Sequence, residues 1–205
     1  MKNTIMVNGY SMSIADFEKA DGLVIEGHLY LCNTAITRLP DNLSVDGCLD
    51  LENLAITELP DNLKVGGGLY FKGTLITCLP DNLSLGGSLY LKHTNITHLP
   101  NNLNVGGDLD LTNTPITHLP DDLKVGGHIR HSKRLILRAG EYTYVTGLFW
   151  PIRISDEYIR IGCEKHTIDE WDNFTDEEID DMDQEALQFW RKHKEFILSE
   201  AQKSQ

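Results

Sequence analysis

Between Asp21 and Pro120 the sequence restarts every twenty residues. The rows 21–40, 41–60, 61–80, 81–100 and 101–120 share the template D-N-L-x-V-G-G-x-L-x-L-x-x-T-x-I-T-x-L-P. A sixth row opens as DDLKVGG at 121–127 and then leaves the pattern. The columns Leu29/Leu49/Leu69/Leu89/Leu109, Ile36/Ile56/Ile76/Ile96/Ile116 and Pro40/Pro60/Pro80/Pro100/Pro120 are unbroken. So regular a period means one small unit stacked on copies of itself, because a single unit cannot bury its own apolar face.

The letters say what the unit is. The x-L-x-L-x piece alternates apolar and polar, the period of a strand. Leu69 and Phe71 point inward by this rule, and Gly68, Tyr70 and Lys72 point outward. Twenty residues leave no room for a three-turn helix with its loops. Leu39-Pro40 predicts an extended return, since proline fixes its own φ and keeps its predecessor out of the helical region. Asp-Asn and Gly-Gly read as corners that tolerate turn dihedrals or positive φ. Each row is then a coil: strand, bend, extended return, bend. Parallel strands stack at ~4.8 Å, so five to six coils span roughly 24–29 Å. The threonine column Thr34, Thr74, Thr94, Thr114 is expected to bond backbone from rung to rung, with Leu54 interrupting it.

These x-L-x-L-x-x-T-x-I-T-x-L-P rows resemble leucine-rich repeats, in particular the short twenty-residue L-P type of bacterial effectors and phage-borne or bacterial proteins. The resemblance covers roughly residues 21–127. Thr stands where the usual repeat has a ladder Asn, and V-G-G replaces the usual leucine-containing lead-in. The resemblance implies a solenoid that binds other proteins.

Both ends depart from the period. Residues 1–20 suit an N-terminal cap, with a strand from Thr4 to Val7 and a short helix opened by Ser13 that lays Ile14 and Phe17 over the first coil. Residues 128–205 read as a β-meander (RLILR, YTYVTGLFW, PIRIS, YIRIG) followed by helices, docked on the last coil. Asp156-Glu157 is the expected hairpin turn. Thr167-Ile-Asp-Glu170 and Thr175-Asp-Glu-Glu178 are capping-box patterns. The second opens an amphipathic stretch that Asp183 divides. The predicted fold class is a β-rich solenoid of parallel strands, leucine-rich-repeat-like, with a small α+β C-terminal cap domain.

If the framework is fixed, identity lies in the outward letters. The first outward column is His28, Cys48, Gly68, Ser88, Asp108, His128. The second is Tyr30, Asp50, Tyr70, Tyr90, Asp110, Arg130, and the third is Cys32, Glu52, Lys72, Lys92, Thr112. Tyrosine gives large contact area at small entropy cost, so Tyr70 and Tyr90 beside Lys72 and Lys92 stand out. The alternative is that these rings merely stack as sheet-surface aromatics. The partner-binding face predicted here is Tyr30, Asp50, Glu52, Tyr70, Lys72, Tyr90, Lys92, Asp110 and Arg130, and the expected partner is a protein.

Charge narrows the partner. The formal net charge is −13. It is 0 over residues 1–20, −4 over 21–140 (13 acids, 9 bases) and −9 over 141–205 (16 acids, 7 bases). Such a surface repels nucleic-acid backbones, so direct DNA or RNA binding is not expected. Ten acids and no base lie between Asp169 and Glu185. They could mimic a nucleic-acid backbone and block a DNA-binding enzyme, or simply sit at helix N-termini where the macrodipole favours them.

Catalysis and metals have weaker signals. Gly162-Cys163-Glu164-Lys165-His166 raises a cysteine-dependent enzyme as a further alternative, since a thiol beside a histidine can be activated. The segment after the last coil is shorter than the ligase domains some L-P effectors carry. Cys78, His98 and His118 fall on consecutive rungs and are zinc-type ligands, but the outer two are ~10 Å apart. Surface variation is the better reading, and neither a metal nor a cofactor is expected. The four cysteines show no C-x-x-C spacing and read as free thiols in a reducing compartment. No apolar run reaches the ~20 residues a membrane helix needs. The N-terminal stretch lacks a secretory pattern, so a cytoplasmic location is expected.

Overall fold

The computed structural model describes residues 4–81 and 83–203. They fall into two compact units, Met1–Ser132 and Lys133–Gln205.

The first unit opens with a hairpin. Strands β1 (Thr4–Val7) and β2 (Tyr10–Ser13) pair antiparallel, with Val7 opposite Tyr10. The turn is Asn8-Gly9 with φ of 49° and 83°, the left-handed pair that a tight hairpin needs. Helix α1 (Ile14–Lys19) follows, its Ser13 cap accepting from the Asp16 amide at 3.1 Å. Phe17 is fully buried and Ile14 half-buried. Asn8 also reaches the first coil: its amide donates to the Val24 carbonyl at 2.8 Å and its oxygen accepts from the Glu26 amide at 3.0 Å. The side chain thus imitates a neighbouring strand and closes an exposed sheet edge.

The coils stack in parallel. Each contributes two short strands rather than one. Strands β3 (Val24–Ile25), β5 (Ser44–Val45), β7 (Lys64–Val65), β9 (Ser84–Leu85), β11 (Asn104–Val105) and β13 (Lys124–Val125) form one six-stranded sheet. Strands β4 (Leu29–Tyr30), β6 (Leu49–Asp50), β8 (Leu69–Tyr70), β10 (Leu89–Tyr90), β12 (Leu109–Asp110) and β14 (Ile129–Arg130) form another. The register is twenty residues throughout, as in Leu69 opposite Leu89 and Val105 opposite Val125. The sixth row keeps this geometry through Ile129–Arg130. The return side, residues 35–40 and their equivalents, carries no strand. Proline ends each return and has no N–H to give a ladder.

The core is the set of inward columns. The Ile column is at 0% exposure and the Leu29 column at 1% or less. Each such side chain contributes about 1.5–3 kcal/mol by leaving water.

Three details correct the reading of the corners. The V-G-G segment is a second sheet and then a corner, not a corner alone. Beyond the first coil its glycines do not take positive φ; that falls to Asn33, Asn53, Gly73, His93 and Asn113, and to Asn42 and Asn102. Glycine is needed for close approach: a Cβ on Gly66, Gly86, Gly106 or Gly126 would lie 2.1–2.2 Å from a carbonyl oxygen of the coil before. Asp46 keeps a side chain above the first coil, whose corner Gly27 turns with φ of +98°. Finally, the threonine hydroxyls bond within their own coil. Those of Thr34, Thr74, Thr94 and Thr114 donate to Leu31, Phe71, Leu91 and Leu111 carbonyls at 2.7–2.9 Å. Rung-to-rung side-chain bonds come instead from asparagines: Asn42 to Asp21 at 2.7 Å, Asn62 to Asn42 at 3.0 Å, and Asn53 to Asn33 at 3.4 Å.

The second unit is an antiparallel meander of β15 (Ile136–Ala139), β16 (Tyr142–Val145), β17 (Ile152–Ile154), β18 (Tyr158–Ile161) and β19 (Glu164–Thr167). Helices α2 (Ile168–Asn173), α3 (Asp176–Asp180) and α4 (Ala186–Gln202) follow. Val145, Ile152, Ile154, Ile159 and Ile161 pack with Trp171, Ile179, Trp190 and Ile197. The Trp171 indole N–H donates to the Ile159 carbonyl at 2.8 Å, so burial leaves it satisfied. Thr167–Glu170 and Thr175–Glu178 close full capping boxes. The Asp183 carboxylate accepts from the Glu185 amide between α3 and α4, where the sequence places the break.

Candidate functional site: the outward face of the second solenoid sheet

Strand register brings the second outward column into one row. Tyr30, Asp50, Tyr70, Tyr90, Asp110 and Arg130 are successive cross-strand partners. Five intervals of ~4.8 Å make this row about 24 Å long. The third column runs beside it, because the ladder continues past the strands: the Leu31, Leu51, Phe71, Leu91 and Leu111 amides each donate to the next coil at 2.8–3.1 Å.

The first outward column has a different job. The Cys48 amide donates to His28 Nδ1 at 2.9 Å, and the Gly68 amide to Cys48 Sγ at 3.3 Å. The Asp108 amide donates to Ser88 Oγ at 3.0 Å, and the His128 amide to Asp108 Oδ1 at 2.9 Å. Short acceptor side chains therefore satisfy the backbone N–H just before each strand. Their variation is limited by that need. Gly68 is the gap in the column: a Cβ there would sit 3.3 Å from Cε2 and Oη of Tyr70, so the ring lies back over the glycine.

The row is built to be rigid. The Tyr70 and Tyr90 rings stack, with centroids 4.6 Å apart and planes 8° from parallel. Such a pair contributes about 0.5–1.5 kcal/mol beyond its buried area. Burial pushes the Tyr70 hydroxyl pKa up, and the neighbouring Cys48 and Tyr90 add to the rise. Asp50 Oδ1 accepts from the Glu52 amide at 2.9 Å, and Asp110 Oδ1 from the Thr112 amide at 2.8 Å. Burial, with the Asp50 carboxylate next, raises the Cys32 thiol pKa. Arg130 pairs with Asp108 at 3.0 Å. Lys72 and Lys92 are exposed beside the stacked rings, and Tyr30 is 65% exposed at the far end. The face therefore presents acids at Asp50 and Glu52, a cationic aromatic patch in the middle, and a fixed ion pair at Arg130.

Other candidates have local explanations. His98 and His118 each engage their own Thr97 or Thr117 hydroxyl at 2.8 and 2.9 Å, and both lie exposed with Cys78. Among the described residues no group of three or more His, Cys, Asp or Glu is placed to hold a metal ion. Glu164 stands between Cys163 and His166: the thiol approaches its Oε1 at 3.6 Å and the imidazole its Oε2 at 3.3 Å. The His166 ring packs edge-on against Trp171 and Phe174. Cys163 borders an apolar cleft of about 80 Å³ lined by Trp150, Met182 and Phe189. In the acidic segment, Glu170 and Glu178 serve the caps, and Asp172 and Asp176 pair with Lys194 and Arg191. None of the four cysteines is in a disulfide. Among the described residues no helix is long and apolar enough to cross a membrane.

Comparison with protein families, with curated proteins and with solved structures gave no match for this chain.

Proposed function

We propose that this chain is a non-catalytic protein-interaction module of the leucine-rich-repeat type. It takes its partner on the outward face of the second solenoid sheet, through Tyr30, Asp50, Glu52, Tyr70, Lys72, Tyr90, Lys92, Asp110 and Arg130. The L-P rows further suggest a bacterial or phage setting, with a host or defence protein as the partner. The observation that carries the reading is the stacked Tyr70–Tyr90 pair with two exposed lysines beside it. Two aromatic rings held in place lose little entropy on binding, and a positive rim suits an acidic or mixed-charge partner.

The experiment is capture of the partner on tagged chain from source cells, identification by mass spectrometry, and affinity measurement with the purified partner. Substituting Tyr70, Tyr90 and Lys92 together by alanine is expected to weaken binding at least about 100-fold, since central aromatic anchors are worth ≥2 kcal/mol each. Undiminished affinity in that variant refutes the assignment. Charge reversal across Asp176 to Asp183 leaves binding intact in this reading and abolishes it if the acidic segment mimics nucleic acid. Cys163→Ser is expected to change nothing, whereas loss of an activity with binding retained would mark a cysteine enzyme.

A further inference from the structure

All three tryptophans of the chain, Trp150, Trp171 and Trp190, line one cleft of about 80 Å³ in the second unit. Phe189 adds a fourth ring to the wall. Trp171 and Trp190 have centroids 5.0 Å apart and planes 41° from parallel, and Trp150 meets Phe189 edge-on at 5.0 Å. The rings thus stand at angles to one another and form walls of different orientation, not one flat stack. Gly162 makes room for one of these walls: a Cβ there would lie 3.1 Å from Cδ1 of Trp150. Trp150 is only half-buried, and the lining residues Cys163 and Asp183 are exposed, so the cleft opens to solvent.

The charge around these rings has one sign. Two carboxylates, Glu164 and Asp183, line the cleft, and no lysine or arginine does. Glu164 engages the Cys163 thiol and the His166 imidazole, and Asp183 accepts from the Glu185 amide. Neither pairs with a lysine or arginine among the described residues, whereas Asp172 and Asp176 do. Aromatic faces are themselves negative, so rings and carboxylates together favour a cation. Trp190 already accepts one: Lys194 Nζ lies 5.7 Å from its ring centroid. A primary ammonium is strongly hydrated and needs acceptors that an aromatic wall lacks. A quaternary ammonium has no N–H to satisfy, and its methyl groups pack on rings. One water occupies roughly 10–15 Å³ of such a cavity, so the cleft takes about five to eight water-sized groups, room for a trimethylammonium head and its first methylene.

We propose that this cleft binds a quaternary ammonium head group, with Trp150, Trp171, Trp190 and Phe189 as its aromatic cage and Glu164 and Asp183 as the counter-charges. The site uses none of the residues of the solenoid face, so it stands or falls independently of the partner proposed there. Ring contact supplies attraction without hydrogen bonds, and the two carboxylates select the charged head over an uncharged group of the same shape. The same head occurs on free choline-type molecules and on trimethylated lysine in a protein, and the two sources are separated below.

The full chain is titrated with choline, with the uncharged isostere in which carbon replaces the nitrogen, and with a trimethyllysine peptide and its unmethylated form, at constant ionic strength. Tryptophan fluorescence and amide NMR shifts are read, since every tryptophan of the chain lines the cleft. Saturable shifts centred on Gly162, Cys163 and Ala186 are expected, with the isostere at least tenfold weaker than the cation. Trp150→Leu is expected to weaken binding of the cation tenfold or more. Glu164→Gln and Asp183→Asn should each weaken the cation and leave the isostere unchanged, while Glu177→Gln, which removes the same charge outside the cleft, should change neither. Both carboxylate variants keep an acceptor oxygen, so they test the charge even if Trp150→Leu fails to fold. Response to choline assigns a free ligand, and response to the trimethyllysine peptide alone assigns a modified protein. Equal affinity for the isostere, equal loss in Glu177→Gln, or no saturable response to any of the cations overturns the proposal.

Discussion

Gly86→Ala is the sharpest perturbation of the stacked coils. The backbone at Gly86 does not need glycine, since its φ is not positive. In open space, alanine there would stabilise the chain by about 0.4–1 kcal/mol, through the entropy of the unfolded state. The stack forbids it: the added Cβ would fall 2.1 Å from the Gly66 carbonyl oxygen and 3.1 Å from its carbon. Neighbouring coils must part by roughly 1 Å to restore ordinary contact. That breaks the bonds from the Gly86 amide to Val65 and from the Gly87 amide to Gly67, now 3.2 and 3.1 Å. Two lost bonds at about 1 kcal/mol each, with about 1–3 kcal/mol of overpacking, give ~3–5 kcal/mol gross. Less the entropic gain, the net loss is about 2–4 kcal/mol. Urea unfolding followed by far-UV circular dichroism measures it. The tryptophans, Trp150, Trp171 and Trp190, all lie in the second unit and report its unfolding as an internal control. Gly22→Ala is the comparison. Gly22 has φ of +65° and open space around its missing Cβ, so alanine should cost only ~1–2 kcal/mol of left-handed strain. A neutral or stabilising Gly86→Ala would refute the close-approach argument.

Other consequences are testable with less machinery. Thr94→Val removes the buried bond from its hydroxyl to the Leu91 carbonyl at 2.7 Å. The Thr94 amide still reaches that carbonyl at 3.1 Å, so the loss should stay near ~1 kcal/mol in the same urea assay. Gly68→Ala crowds the Tyr70 ring, and should weaken partner binding while shifting stability little. Glu170 and Glu178 have lowered pKa values, chiefly because each accepts the backbone N–H of its capping threonine. A carboxylate depressed in the folded state adds stability above its unfolded pKa and loses it as pH falls through the folded one. Tryptophan fluorescence on acid titration should therefore show the second unit weakening below the ordinary carboxylate range. The double variant Glu170→Gln, Glu178→Gln should flatten that dependence.

Much of this architecture is legible in the sequence because it repeats. A column such as Ile36 to Ile116 tests its inward assignment five times, and all five side chains are fully buried. Tyr70 beside Tyr90 followed from the period alone. The capping boxes at Thr167 and Thr175 were readable because their chemistry is local. What escaped depends on contacts between coils. Gly-Gly signals both a turn and a close approach, and only the position of Gly66 under Gly86 decides between them. The asparagine and glycine column at Asn33, Asn53, Gly73 and Asn113 carried the usual signal for left-handed backbone, overshadowed by the threonines that follow it. Asn8-Gly9 likewise marked a hairpin whose second strand, Tyr10–Ser13, is only four residues long and has no fully buried side chain. Strand β19 was hidden because Glu164–Thr167 has no apolar alternation.

The most direct test of the stacked panel is a pair of disulfide-trapping experiments in a background where the four native cysteines are replaced. Tyr70→Cys with Tyr90→Cys puts the thiols on adjacent in-register strands, with Cα atoms ~4.8 Å apart. Tyr70→Cys with Asp110→Cys puts them two strands apart, at ~9.6 Å, beyond the ~7 Å limit for a disulfide. Mild oxidation should join the first pair quantitatively and leave the second reduced. Equal cross-linking of both pairs, or none of the first, would mean that residues twenty apart are not neighbours on one face.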